Sequence, residues 1–173
     1  MNSPSGSHIG EGSLSRLNHS YPSRTSASVS SGDNTAAVSP SDRAIENIEL
    51  VQRFYEAAAE RRLADMRWAY TPDFELREVS SMPEADTLYG PEAAEQWSRK
   101  WATMFEYRYI PQEFHDAGDR VLVEVAVRAR GKQSGAETEL IAYGLWTLRD
   151  GRLSSVDNYL DRAEAFRAAG LAS

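Results

Sequence analysis

Four tracts in the second half of the chain, roughly 107–115, 120–130, 137–148 and 152–161, place apolar side chains at every second position. That is the period of a strand with one buried face. The tracts are separated by Ala117-Gly118-Asp119, by the stretch from Gly131 to Gly135 and by Asp150-Gly151, and Asp-Gly is a strong short-turn signal. Connections this short join antiparallel strands, because a parallel crossover needs a dozen or more residues. The first half has helical spacing instead. Asp42 is a plausible N-cap, and Ile45, Ile48, Val51, Tyr55 and Ala58 form a stripe that Leu50 and Phe54 widen. A shorter helix is expected through Leu63, Met66, Ala69 and Tyr70, closed by Thr71-Pro72. Phe74, Leu76 and Glu78 alternate as on a strand, and a loop with Pro83 follows. Pro91 then opens a helix with inner face Ala94, Trp97, Trp101 and Phe105. A last helix, Arg162 to Ala169, stops at Gly170. Helices segregated from a meander make an α+β fold, with helices packed on a curved antiparallel sheet.

Composition narrows the functional classes. Thirteen of the first 42 residues are Ser, and apolar residues there are too sparse to offset the entropy of ordering the chain. Residues 1–42 are therefore expected to be a disordered tail, and 43–173 the domain. A transit peptide is the competing reading, disfavoured by having only Arg16 and Arg24 beside Glu11 and Asp33. The chain has no Cys, which removes disulfides, thiolate metal sites and thiol nucleophiles together. A net charge of −7 without a basic cluster argues against a nucleic-acid partner. No apolar run approaches a membrane span, and no secretory signal opens the chain. A cytoplasmic protein is the resulting expectation.

Several of these segments resemble the NTF2-like superfamily and, within it, the SnoaL-like branch that also includes ketosteroid isomerases. The likeness is carried by IENIELVQRFYEAA, by YTPDFELRE, by Tyr89-Gly90 before a Trp-bearing helix, and by WTLRDGRLSSVDNYLDRAEAFRAAGL. It spans about residues 43 to 171. It implies a cone-shaped barrel with a deep pocket between helices and sheet, a small apolar or aromatic metabolite as guest, and a homodimer formed through the sheet. Val121, Val123, Val125 and Val127 would suit such an interface if their face were the outer one. No single reaction is implied, since the superfamily holds isomerases, polyketide cyclases, epoxide hydrolases and pockets with no known chemistry. The ketosteroid isomerase pattern sets an Asp base against a Tyr and a protonated Asp. Here those positions fall on Glu78, Phe54 and Gly144, so two of the three roles are missing. The acid/base Asp of SnoaL-type cyclases, which precedes the final helix, matches Asp161.

The candidate catalytic residues are Asp161, Glu78 and Asp157. Glu78 has the parity of Phe74 and Leu76, so it either enters an apolar pocket as a general base or sits at its mouth paired with an Arg. Asp157, Tyr159 and Asp161 share the parity of Leu153, and such a row could transfer protons and hold an enolate or epoxide oxygen. The plainer reading makes Asp161 a helix cap and pairs Asp157 with Arg128 or Arg130. An Asp–Arg–Asp row is also what limonene epoxide hydrolases use to activate water. Candidate ligand-binding residues are Tyr159, Trp146, Tyr89, Trp97, Trp101, Phe54 and Trp68, each of which competes with a role in plain core. Trp146 shares a row with Gly144 and Ala142, small residues that would leave space. As oxyanion donors Tyr89 and Tyr159 are favoured over Tyr55, which faces differently from Phe54. His115 beside a turn reads as solvated. Neither metal-ligand spacing nor a phosphate loop is present, so the expected site needs no cofactor. The leading expectation is a cofactor-independent isomerase or cyclase of a small apolar carbonyl compound. A non-catalytic binding or dimerisation module and an epoxide hydrolase are the alternatives.

Overall fold

The structure, a computed structural model, describes residues 39–172. The tail expected over residues 1–42 therefore lies outside the described residues, except for its last four. Those four are the N-cap and the first three residues of the first helix. Helix α1 spans Pro40–Ala59. Its N-cap is Ser39, whose Oγ accepts from the Asp42 amide at 3.1 Å and donates to the Asp42 carboxylate at 2.7 Å. Asp42 thus completes a reciprocal cap rather than forming the cap itself. The buried stripe is Asn47, Leu50, Val51, Phe54, Tyr55 and Ala57, while Ile45 is exposed. A 3-10 turn, Leu63–Ala69, stands where the second helix was expected and buries Leu63, Met66 and Ala69.

Strand β1 runs Tyr70–Arg77 and β2, Thr87–Tyr89, pairs antiparallel with it. The sequence had suggested only a loop at β2. Helix α2 covers Ala93–Met104, and Phe105 has already left it to begin β3, Phe105–Asp116. β4 is Arg120–Gly131, β5 Glu137–Arg149 and β6 Arg152–Tyr159, followed by α3, Arg162–Ala169. The six strands form one open sheet in the order β2-β1-β6-β5-β4-β3. The last four make the expected antiparallel meander, and β1 joins its far side parallel to β6.

The two faces of the sheet carry different cores. The inner face meets α1 through Val121, Val123 and Val125 of β4, Trp146 of β5 and Val156 of β6. These valines are core residues, so their alternation says nothing of an outer interface. The outer face carries Leu122, Tyr143 and Leu145 against Ala165, Phe166 and Ala169 of α3. Helix α3 therefore covers the opposite side from α1. Its end matches the sequence reading: Gly170 takes φ of 75°, left-handed backbone that glycine enters without a Cβ clash.

Two bulges set which side chains share a face. On β3, Pro111 opposes Val125 and Glu113 opposes Glu124, leaving Gln112 as the extra residue. On β6, Leu153 opposes Leu148 and Ser155 opposes Thr147, leaving Ser154 extra, with its Oγ donating to the Thr147 carbonyl at 3.1 Å. One extra residue reverses the alternation of everything beyond it. Among the described residues, no helix is long and apolar enough to cross a membrane.

Candidate functional site

An apolar hollow of about 270 Å³ opens on the inner face, beyond the end of the packed core. Phe105, Tyr107 and Tyr109 of β3 form one wall. They stand beside Val127 and Ala129 of β4, their cross-strand neighbours. Thr138, Leu140 and Ala142 continue the inner row of β5, and Asn158 and Leu160 come from the end of β6. Trp101 of α2, with Val79 and Met82 after β1, closes the remaining side.

Few polar groups face this space. The Tyr107 hydroxyl is engaged with Ser98, at 2.8 Å from its Oγ and 3.0 Å from its carbonyl oxygen. Asn158 donates its amide Nδ2 to the Arg77 carbonyl at 2.9 Å, which fixes the side chain. Among the described residues, the Tyr109 hydroxyl has no such partner. Trp97 stacks on the Tyr109 ring, with centroids 5.4 Å apart and planes at 24°. Burial pushes the Tyr109 phenol far up from its usual value, and the Tyr107 and Tyr55 phenols oppose its ionisation further. It is a neutral hydrogen-bond donor at any physiological pH.

The three candidate carboxylates have separate places. Glu78 follows β1 on its inner side, and its side chain is only 5% exposed. It accepts from the Lys100 ammonium at 2.7 Å, from the Trp101 indole N–H at 3.3 Å and from the Asp86 amide at 3.1 Å. It lies behind Trp101 rather than on the surface of the hollow. Asp157 opposes Leu145, a residue of the outer core, and its partner is Arg77 at 2.8 Å. Arg128, one of the partners expected for Asp157, is instead bound to Glu139 at 3.0 Å. Asp161 is the N-cap of α3, its Oδ1 accepting from the Glu164 amide at 2.7 Å. The sequence parity that put Asp157 and Tyr159 with Leu153 fails at the Ser154 bulge, beyond which Val156 and Asn158 face inward.

This architecture is that of a known family. A family model described as the SnoaL-like domain matches residues 51–156. The chain belongs to the SnoaL-like domain family. The SnoaL-like domain shares its NTF2-like fold with solved structures. An NTF2-like protein of unknown function from Burkholderia pseudomallei K96243 is 26% identical, covering 70% of this chain and 95% of its own, at TM-score 0.61. Another from Burkholderia xenovorans LB400 is 27% identical, with 72% and 96% covered, at TM-score 0.60. A third, from Xanthomonas campestris pv. campestris, whose polyketide cyclase designation is provisional, is 18% identical, with 73% and 98% covered, at TM-score 0.57. No curated protein matches the chain.

Of the aromatic residues singled out in the SnoaL-like domain's sequence, Trp101 lines the hollow and Trp97 backs Tyr109. Phe54 and Trp146 are packed against each other, 4.4 Å between centroids, in the closed core. Tyr159 packs with the outer core, whereas Tyr89 and Trp68 are exposed. The space expected beside Gly144 is filled. Tyr55 points its hydroxyl there and accepts from the Trp146 indole N–H at 3.3 Å, with burial pushing its phenol strongly up. The expectation that Tyr55 faces elsewhere is thus corrected, because α1 is rotated to put Phe54 and Tyr55 both into the core. Tyr107 and Tyr109 were missed, although they alternate with Phe105 in register with the inward row of β4.

His115 is also not the solvated residue that the sequence suggested. It lies on β3, with Nε2 3.0 Å from Glu124 and 3.8 Å from Glu113, and its ring meets Phe166. Glu113, His115 and Glu124 offer ligand atoms within 4.8 Å of one another on the outer face. Arg162 also approaches Glu124, at 3.7 Å.

Proposed function

We propose that this SnoaL-like protein is a cofactor-independent isomerase or cyclase that takes a small, flat, apolar carbonyl compound into the hollow. Glu78 is the group that moves the proton, and the Tyr109 hydroxyl holds the carbonyl oxygen. The observation that carries this reading is the place of Glu78. Of the three carboxylates it alone stands on the inner side, shielded from water and touching a wall residue. With Trp101 turned aside from it, Glu78 would reach the carbon next to the carbonyl and remove its proton, leaving the negative charge on an oxygen that accepts from Tyr109. Returning the proton to another carbon completes an isomerisation; alternatively, attack by the deprotonated carbon on a second carbonyl, with the new alkoxide taking the proton back from Glu78, completes a ring closure. Lys100 is 40% exposed and held by a long stem, so guest entry can displace it from Glu78. The family supports a small-molecule role, and the fold is shared with a protein of provisional cyclase designation.

The second reading is a pocket that binds such a compound without changing it. The ion pair of Glu78 with Lys100 and the position of the carboxylate behind Trp101 favour it. The carboxylate–guanidinium–carboxylate row needed for epoxide opening does exist as Glu75–Arg77–Asp157. It lies on the outer face of the sheet, so the hollow lends it no support.

The two readings separate with 2-tetralone as probe, following exchange of its α-protons for deuterium by NMR alongside binding by calorimetry. Glu78→Gln should slow protein-catalysed exchange by about a hundredfold and leave binding within a few-fold. Asp157→Asn and Asp161→Asn should leave both nearly unchanged. Binding without catalysed exchange in the native protein, or full exchange in Glu78→Gln, refutes the enzymatic reading.

A further inference from the structure

A second cavity, of about 490 Å³, adjoins the hollow, and the two share Tyr107 and Tyr109 as walls. Its other sides are the end of α1 with Arg61, Ser98 of α2, and Arg108 and Ile110 of β3. Two guanidinium residues border it and no carboxylate does. Among the described residues, neither Arg61 nor Arg108 has an acidic group within ion-pair distance. The larger, more open cleft of about 770 Å³ nearby also touches both arginines, but it mixes them with Glu106, Glu137 and Glu139.

Both arginines occupy places that local energetics disfavour. Arg61 takes φ of 56°, just past the end of α1. There its amide donates to the Ala58 carbonyl at 3.2 Å, and the Arg62 amide donates to Ala57 at 2.7 Å. That left-handed position after a helix ordinarily belongs to glycine, and a side chain there is strained. Arg108 sits directly opposite Arg128 across the β3–β4 ladder, a like-charge pair that destabilises a sheet. Arg128 is satisfied by Glu139, whereas Arg108 is left without an acid. Both unfavourable placements border one cavity, Arg61 from the end of α1 and Arg108 from the outer row of the edge strand β3, and local rules broken at one place are the pattern expected of a binding site.

We infer that the guest of this protein is an acid, a flat carbonyl compound whose carboxylate is received by Arg61 and Arg108 in the cavity beside Tyr107 and Tyr109. This deepens the proposed function and rests on it. The hollow takes the apolar body, and the fork of donors on each guanidinium suits a carboxylate. Neutral analogues would lose the charge-assisted hydrogen bonds and keep the apolar contacts.

The test is calorimetric titration of the full chain with 2-naphthoate and with methyl 2-naphthoate at pH 7. The acid should bind at least about tenfold more tightly than the ester. Arg61→Gln and Arg108→Gln should each remove most of that preference while ester binding stays within a few-fold. Arg61→Gly separates function from folding. It should lose the same preference yet raise the melting temperature by a few degrees, because glycine relieves the left-handed strain. Equal affinities for acid and ester overturn the inference and leave the proposed function standing. A preference that persists in the Arg61→Gln/Arg108→Gln double variant overturns it too. If neither compound binds, the hollow is not a ligand site, and both readings fall.

Discussion

Adding one methyl group at Gly144 tests how the inner row of β5 is filled. A Cβ there would lie 3.0 Å from the Tyr55 hydroxyl and 3.3 Å from the Trp146 indole nitrogen, closer than ordinary van der Waals contact. Both neighbours are buried and hydrogen-bonded to each other, so neither can swing away into solvent. Overpacking of this kind costs about 1–3 kcal/mol. The loss of backbone freedom in the unfolded chain on Gly→Ala offsets about 0.4–1 kcal/mol of it. Gly144→Ala alone should therefore destabilise by about 1–2 kcal/mol. Tyr55→Phe alone leaves the Trp146 N–H buried without its acceptor, at about 1–3 kcal/mol. In the double variant the methyl enters the space left by the hydroxyl, and the closer of the two tight contacts is relieved. Its cost should fall below the sum of the single costs by at least about 1 kcal/mol, as residues in contact are expected to couple. Urea unfolding of the four proteins, with unchanged m values, measures this. Additive single effects, or a stabilised Gly144→Ala, would refute the claim that Tyr55 fills this place.

Two further outcomes follow from named contacts. Glu95 has a side chain only 12% exposed, gripped by Arg67 at 2.6 and 2.9 Å, and that hydrogen-bonded fork holds its carboxyl below the usual carboxylate range against the opposing effect of burial. Its stabilisation is complete above the unfolded value of about 4.3 and fades as pH falls through the lower folded value. Arg67 is half exposed, so Glu95→Gln should cost only about 1 kcal/mol at pH 7, shrinking below about pH 4. An undiminished difference at pH 3 by denaturant midpoint would contradict this. Finally, a homodimer through the sheet should sediment at twice 19.3 kDa at micromolar concentration, and Ile141→Glu, on the exposed part of the outer face, should shift it towards monomer; a native protein sedimenting only as monomer rules the dimer out.

The meander was legible because its turns announce themselves. Ala117-Gly118-Asp119 and Asp150-Gly151 leave no room for any connection but a hairpin, and the observed strands agree with the expected ones to within two residues at every end, β6 stopping short at Tyr159. The last helix was legible for the same reason, with an Asp cap before it and a glycine after. The short strand β2 was not, since three residues carry no period, and its pairing with β1 depends on a chain reversal around Pro83 that no local pattern encodes. The rotation of α1 was also hidden. Ile45 extends the apolar stripe on paper, but it lies too near the start of the helix to reach the sheet.

The site was misread for a more specific reason, which the sequence does contain. In Leu153-Ser154-Ser155-Val156 the two apolar anchors are three apart, and a regular strand cannot point residues at odd separation to the same face. Both are buried in the inner core, so a bulge must lie between them. Once it does, Asn158 rather than Asp157 enters the hollow. The same arithmetic holds on β3, where Tyr109 and Phe114 are five apart and both pack on the inner core, which requires the bulge at Gln112. Parity counted across an unrecognised bulge moves every later side chain to the wrong face. That single slip exchanged a polar amide fixed to the sheet for a pair of carboxylates, and with them a multi-acid site for one buried carboxylate and a free phenol. On the proposed reading such a site depends on Glu78 alone for proton transfer, which is why one substitution there separates an enzyme from a binding pocket.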